Sequence, residues 1–143
     1  MGEAREVVDR ATEATLRQDW ETVESSYAPD AVAVTPDQGE IKGAAEILQW
    51  TKQFFDSFPD ASYQYDQKHE SDNTAIDEGW FVGTNTGPLL LPNGERLPAT
   101  GKRVRVRAAD VATVENGVIT SHRFYFDQME FLGQLGLTPE SPS

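Results

Sequence analysis

The dipeptide Asn116-Gly117 constrains this chain more than any other pair of residues. Both residues tolerate the positive φ of a type I′ turn, so Asn-Gly is a strong hairpin signal. Strand-like runs lie on either side. Arg103–Glu115 starts as alternating Val and Arg and then becomes more apolar, as a long central strand does. Val118–Phe126 is rich in β-branched and aromatic residues. Side chains alternate between the faces of a strand. One face of the second strand would carry Ile119, Ser121, Arg123, Tyr125 and Asp127, and the other Val118, Thr120, His122, Phe124 and Phe126. Asp127 stands where that strand runs out, before a short helical pattern of Met129, Phe131, Leu132 and Leu135. Two readings of it are open. Partial desolvation among aromatics could raise its pKa and make it a general acid or base. Alternatively, it caps the turn that follows.

The rest of the chain arranges itself around this hairpin. Glu3–Ser26 has the apolar spacing of an amphipathic helix, with a second helical segment able to start at Asp19. Ala28-Pro29-Asp30 breaks it, because proline disfavours a helical residue before it. A short strand follows at 31–35, then a turn at Pro36-Asp37-Gln38-Gly39. Gly43–Phe58 reads as a second helix with Ile47, Trp50, Thr51, Phe54 and Phe58 along one stripe. Ala61–Lys68 alternates as a half-exposed strand, and Thr74–Asn85 is another strand centred on Trp80, Phe81 and Val82. Gly83–Gly101 is rich in Gly, Pro and Asn, and reads mostly as loop with a Pro-Asn-Gly turn. Adjacent hairpin strands with helices segregated to one side make an α+β fold. The expectation is one domain, residues 1–137, with a frayed polar tail at 138–143. The sheet would be curved and mostly antiparallel. Helices would cover it incompletely, leaving a cone with an internal pocket.

Charge narrows the class of partner. Lys and Arg number 12 against 24 Asp and Glu, a net charge of −12. An acidic surface repels nucleic acid and anionic lipid, so neither is expected as a partner. There is no cysteine, which excludes disulfides, thiolate chemistry and cysteine metal sites. No signal-peptide core or membrane-length apolar run is present, so a cytoplasmic protein is expected. The two histidines lie in different segments and have no metal-ligand spacing, so no metal site is expected. Serine-nucleophile, phosphate-loop and dinucleotide motifs are lacking as well.

Several stretches in order carry a family resemblance. They are Asp19-Trp20; Y-A-P-D-A-V at 27–32; G-x-x-x-I at 43–47; F-P-D at 58–60; G-T-N-T-G-P at 83–88; P-A-T-G-K at 98–102; and E-N-G-V-I followed by His122, Tyr125, Asp127 and Q-L-G up to Gly136. Together they resemble the SnoaL-like polyketide cyclase and ester cyclase group of the nuclear transport factor 2-like superfamily. The resemblance implies a cone-shaped α+β barrel and a homodimer. It also implies cofactor-free, metal-free acid/base chemistry on an apolar carbonyl substrate: a proton is taken from carbon and the enolate closes a ring by an aldol step. Asp127 lines up with the family's catalytic aspartate, and His122 with a histidine common in this strand. Asn85 stands where many relatives have histidine. It can donate a hydrogen bond to a carbonyl or enolate but cannot carry a proton.

The candidate catalytic residues are therefore Asp127, Asn85 and His122. Tyr125 is a candidate hydrogen-bond partner of Asp127. Trp50, Phe54, Trp80 and Tyr27 are the aromatic candidates for a substrate-binding wall, although the core reading is favoured for each; an aromatic-lined cavity would suit a flat polycyclic or other apolar substrate. Two rival functions share the fold. One is a non-catalytic small-molecule-binding module, favoured by the Asn85 departure. The other is an epoxide-hydrolase-like enzyme, which would need an Asp–Arg–Asp set; Arg107 and Asp110 are three residues apart and so face opposite sides of a regular strand.

Overall fold

The computed structural model describes residues 2–91 and 94–137. The expected tail, 138–143, and the Pro92-Asn93 part of the expected turn lie outside the described residues. In order, the elements are α1 (Glu3–Leu16), α2 (Trp20–Ser25), β1 (Tyr27–Thr35), β2 (Gly39–Lys42), α3 (Ala44–Ser57), β3 (Ser62–Ser71), β4 (Thr74–Thr84), β5 (Leu89–Leu90), β6 (Arg96–Leu97), β7 (Arg103–Glu115), β8 (Val118–Phe126) and α4 (Gln128–Gln134). Six strands form one sheet in the order β2-β1-β8-β7-β4-β3, and β5 and β6 form a separate two-stranded ladder. Every neighbour pair in the large sheet is antiparallel except β1 with β8. The sheet is curved and unclosed, and the helices lie against it, so the α+β expectation holds.

Local chemistry places the boundaries. The amphipathic stretch 3–26 divides into two helices, with the second segment at Asp19 that the sequence allows, because Gln18 takes φ 58° and breaks the ladder. Asp19 then starts α2, its carboxylate accepting from Thr22 N at 3.3 Å and from the Thr22 hydroxyl at 2.7 Å. The Asn116-Gly117 turn has φ 53° and 80°, the positive values that type I′ demands. Pairing across that hairpin slips by one residue: Thr113 opposes Ser121 but Val114 opposes Ile119, which leaves Thr120 as a bulge. A second slip, between Tyr65 and Gln67, bulges β3 against β4. Bulges bend strands, and the sheet curves around the helices.

The core has two parts. Small residues make the first: Ala4, Ala11 and Ala14 of α1 pack with Ala33, Ala75 and Ala112 of the sheet, letting the helix approach closely. Large aromatics make the second. Phe58 is wholly buried, with Phe55, Phe81 and Phe131 around it. Phe54 joins this group, 5.0 Å from Phe81 and 5.3 Å from Phe58 between ring centres. Burial of one such ring stabilises by roughly 2–3 kcal/mol.

Asn85 belongs to this framework. It is wholly buried. Its amide nitrogen donates to Ser57 O at 3.1 Å and Gly87 O at 3.0 Å. Its amide oxygen accepts from Thr100 N at 2.8 Å and the Thr100 hydroxyl at 2.9 Å. All its polar capacity ties the 85–101 loop to the end of α3. Asn85→Ala strands these buried groups and is expected to cost at least about 2 kcal/mol of unfolding free energy. Denaturant titration at neutral pH measures it.

Candidate functional site

Between the two core clusters lies a cavity of about 930 Å³, counting its open mouth. Helices α1, α2 and α3 supply one wall through Val8, Ala11, Val23, Trp50 and Phe54. Strands β1, β3, β4, β7 and β8 supply the other. The lining is mostly apolar, which is the usual make-up of a small-molecule site.

Three side chains on three neighbouring strands form a hydrogen-bonded line inside it. Tyr27 of β1 lies with its hydroxyl 2.6 Å from His122 Nδ1. The other ring nitrogen, His122 Nε2, lies 2.6 Å from Asp110 Oδ2. Tyr27 is 9 % exposed, and His122 and Asp110 are 7 % each. The sheet explains the convergence, because β1 pairs with β8 and β8 with β7. The Phe124 ring lies tilted at 4.1 Å from the His122 ring and at 5.3 Å from that of Trp50, which ties the imidazole to the helical wall. An ionised Asp110 can only accept hydrogen bonds, so it holds the proton on Nε2. That leaves Nδ1 to accept from the Tyr27 hydroxyl.

Tyr63 and Tyr65 of β3 also line this cavity. Their rings stack at 5.9 Å. Burial first, and the negative charge of Asp110 second, push the acidity of Tyr27, Tyr63 and Tyr65 well below that of a free phenol. All three therefore stay protonated near neutrality and serve as neutral donors.

The site residues read from the sequence are distributed unevenly. His122, Tyr27, Trp50 and Phe54 line the cavity. Trp80 and Tyr125 border it too, but Tyr125 is 53 % exposed. The Trp80 ring is covered by the guanidinium groups of Arg105 and Arg107, at 3.7 and 4.5 Å. Asp127, the expected base, lies outside the cavity lining. It is exposed and caps α4, accepting from Glu130 N at 3.1 Å. The physical reason is parity. The bulge at Thr120 lets Ile119 and His122 both face inward, after which Phe124 and Phe126 continue that face and Asp127 does not. Asn85, expected to polarise an oxygen, is outside the lining as well, engaged in the loop contacts described above. Arg107 is exposed while Asp110 is buried, so these two do not come together in an Asp–Arg–Asp set.

Tyr63 and Tyr65 do not stand out as site residues in the sequence, and Asp110 enters there only as a member of the disfavoured Asp–Arg–Asp set. A signal for Asp110 was present. In β7 the residues Val104, Val106, Asp110, Ala112 and Val114 share one parity and are all buried. A carboxylate in step with the apolar face of a strand must be paired or functional. Among the described residues no cluster of three or more acidic or histidine side chains is arranged to hold a metal ion. No described helix is long and apolar enough to cross a membrane.

Comparison with known proteins agrees with this fold. The model of the SnoaL-like domain matches residues 8–122, more than half of the chain. No curated protein sequence matches. Among solved structures, a candidate SnoaL-like polyketide cyclase from Jannaschia sp. CCS1 superposes with a TM-score of 0.83 at 15% identity, over 96% of this chain and 94% of that one. AclR, a candidate hydroxylase from Streptomyces galilaeus, gives 0.78 at 18% identity, over 98% and 85%. A protein of ketosteroid isomerase-like fold from Catenulispora acidiphila DSM 44928, solved with trimethylamine, gives 0.75 at 17% identity, over 96% and 98%. These likenesses concern the fold. With the family model spanning most of the chain, the protein belongs to the SnoaL-like domain family.

Proposed function

We propose that this protein is an acid/base enzyme that moves a proton on an apolar carbonyl compound held in the cavity, a step of the cyclase type. The observation that carries this reading is the buried line Tyr27–His122–Asp110 opening onto an aromatic-walled cavity. In the resting arrangement the Tyr27 hydroxyl donates to a neutral imidazole, so its oxygen lone pairs face the cavity as an acceptor. A proton leaving carbon beside a carbonyl passes to the Tyr27 oxygen as the Tyr27 proton passes to His122 Nδ1. The resulting imidazolium is stabilised by the Asp110 carboxylate on Nε2. No free tyrosinate forms, which suits a phenol whose ionisation burial disfavours. The enolate oxygen would be met by the neutral hydroxyls of Tyr63 and Tyr65, donors in a water-poor site. The enolate carbon can then attack a second carbonyl of the same molecule. The imidazolium returns its proton through Tyr27 to the new alkoxide, and the atoms balance without a cofactor. The apolar aromatic lining suits a flat, hydrophobic body of polyketide type.

The test is turnover against a panel of aromatic ketones and esters bearing an acidic C–H beside the carbonyl. His122→Gln and Asp110→Asn are expected to lower turnover by about 10²- to 10⁴-fold, the usual worth of a positioned acid/base group, and Tyr27→Phe by a comparable factor. Ligand binding should survive in all three. Wild-type turnover that these changes leave intact would overturn the proposal. Binding with no turnover in the wild type would make the protein a small-molecule carrier. Asp127→Ala is expected to leave turnover close to wild type and to cost about 1 kcal/mol of stability, the ordinary loss of a helix cap. Thermal unfolding beside the rate assay separates the two effects.

A further inference from the structure

Behind the relay lies a second buried charge cluster. Asp77 of β4 is directly opposite Asp110 of β7 in the antiparallel register. Both lie on the inner face, Asp77 wholly buried and Asp110 7 % exposed. Two carboxylates opposed across a strand pair repel each other and are retained only where something offsets them. On the Asp110 side the offset is His122. On the Asp77 side it is Arg5 of α1, itself only 5 % exposed. Arg5 Nη2 is 2.8 Å from Asp77 Oδ1, and Lys68 Nζ of β3 is 3.6 Å from the same oxygen. Arg5 is held in turn by Asp9 at 2.8 Å and by the carbonyls of His69 and Ile76, at 3.2 and 3.4 Å. Lys68 reaches the same Asp9 oxygen at 2.8 Å. Ion pairs thus run from the exposed Lys68 through Asp9 and Arg5 to Asp77, which stands across the strand pair from Asp110, the end of the Tyr27–His122–Asp110 line.

We propose that the Arg5–Asp77 pair is a positioning element for the relay: Arg5 holds Asp77 as a fixed negative charge facing Asp110, and that charge raises the proton affinity of His122. This rests on the reading of Tyr27–His122–Asp110 as the working site. The groups facing the relay are few. From α1 come Arg5 and Asp9, and from β3 come Tyr63, Tyr65 and Lys68. From β4 comes Asp77, and from β1 comes Tyr27. The α2 and α3 residues of the cavity wall, Val23, Trp50, Thr51 and Phe54, do not titrate. Burial and the neighbouring Asp110 push the Asp77 carboxyl up, and the contact with Arg5 opposes this. The pair is therefore coupled to the relay in both directions.

Nitrogen-15 NMR titration of the imidazole rings reads the coupling without a substrate. The exposed His69 is the second histidine and is assigned by His69→Asn. Asp77→Asn removes a negative charge and leaves Arg5 in place, so the His122 midpoint is expected to fall by about one pH unit. Arg5→Met together with Asp77→Asn removes both charges and should bring the midpoint back toward wild type. Lys68→Met removes a cation from a side chain that is 42% exposed, and should raise the midpoint by a smaller amount. If Asp77→Asn does not fold, Lys68→Met decides alone. Midpoints identical to wild type, or a shift in the same direction for Asp77→Asn and Lys68→Met, would overturn the proposal. The outcome is independent of catalysis: an inactive wild type would sink the enzymatic reading and leave this coupling standing or falling on the titration.

Discussion

Charge buried in an apolar interior must be paired, and that constraint organises this molecule. Arg5, Asp77, Asp110 and His122 are each at least nine-tenths buried. They come from α1, β4, β7 and β8. None could be buried singly without a large desolvation cost. The Arg5–Asp77 pair ties α1 to β4, and the His122–Asp110 pair ties β8 to β7. The aromatic cluster around Phe58 and the alanine-rich packing under α1 supply most of the burial, but neither specifies where polar groups go. The paired charges do.

The Tyr27–His122–Asp110 line turns a fold into a site. A lone tyrosine in an apolar cavity would be a passive hydrogen-bond donor. With His122 at 2.6 Å behind it, and Asp110 at 2.6 Å behind that, the hydroxyl gains a path for its proton. The surrounding phenols of Tyr63 and Tyr65 stay neutral because they are buried and the negative charge of Asp110 lies nearby. A site with one proton path and several neutral donors is suited to making and holding an enolate. Membership of the SnoaL-like domain family is compatible with that chemistry, although fold alone does not assign a reaction.

The parts legible in the sequence were those governed by local rules. The Asn116-Gly117 hairpin fixed β7 and β8 to the residue, and α3 followed from its aromatic stripe. The α+β class came from the order of elements. Properties that depend on distant pairing were not legible. The parallel pairing of β1 with β8 joins residues about ninety apart and brings Tyr27 to His122. No local pattern announces it. The bulge at Thr120 was equally hidden, and it decides which residues of β8 look inward. From His122 onward the simple alternation holds, with Phe124 and Phe126 on the cavity side and Asp127 on the other parity, whereas the family resemblance points to Asp127. Asn85 looked like a substituted catalytic histidine, and its four hydrogen bonds to the 85–101 loop and α3 became visible only in three dimensions.

The central claim is that ligand chemistry happens at His122 and not at the end of β8. It is tested most directly by adding a planar phenol such as 2-naphthol, an enolate mimic, to protein carrying nitrogen-15 histidine and labelled backbone amides. Saturable shifts of both His122 ring nitrogens, with His69 unmoved, are the result this account requires. Binding that leaves the His122 ring untouched and instead shifts the amides around Asp127 and α4 would contradict it.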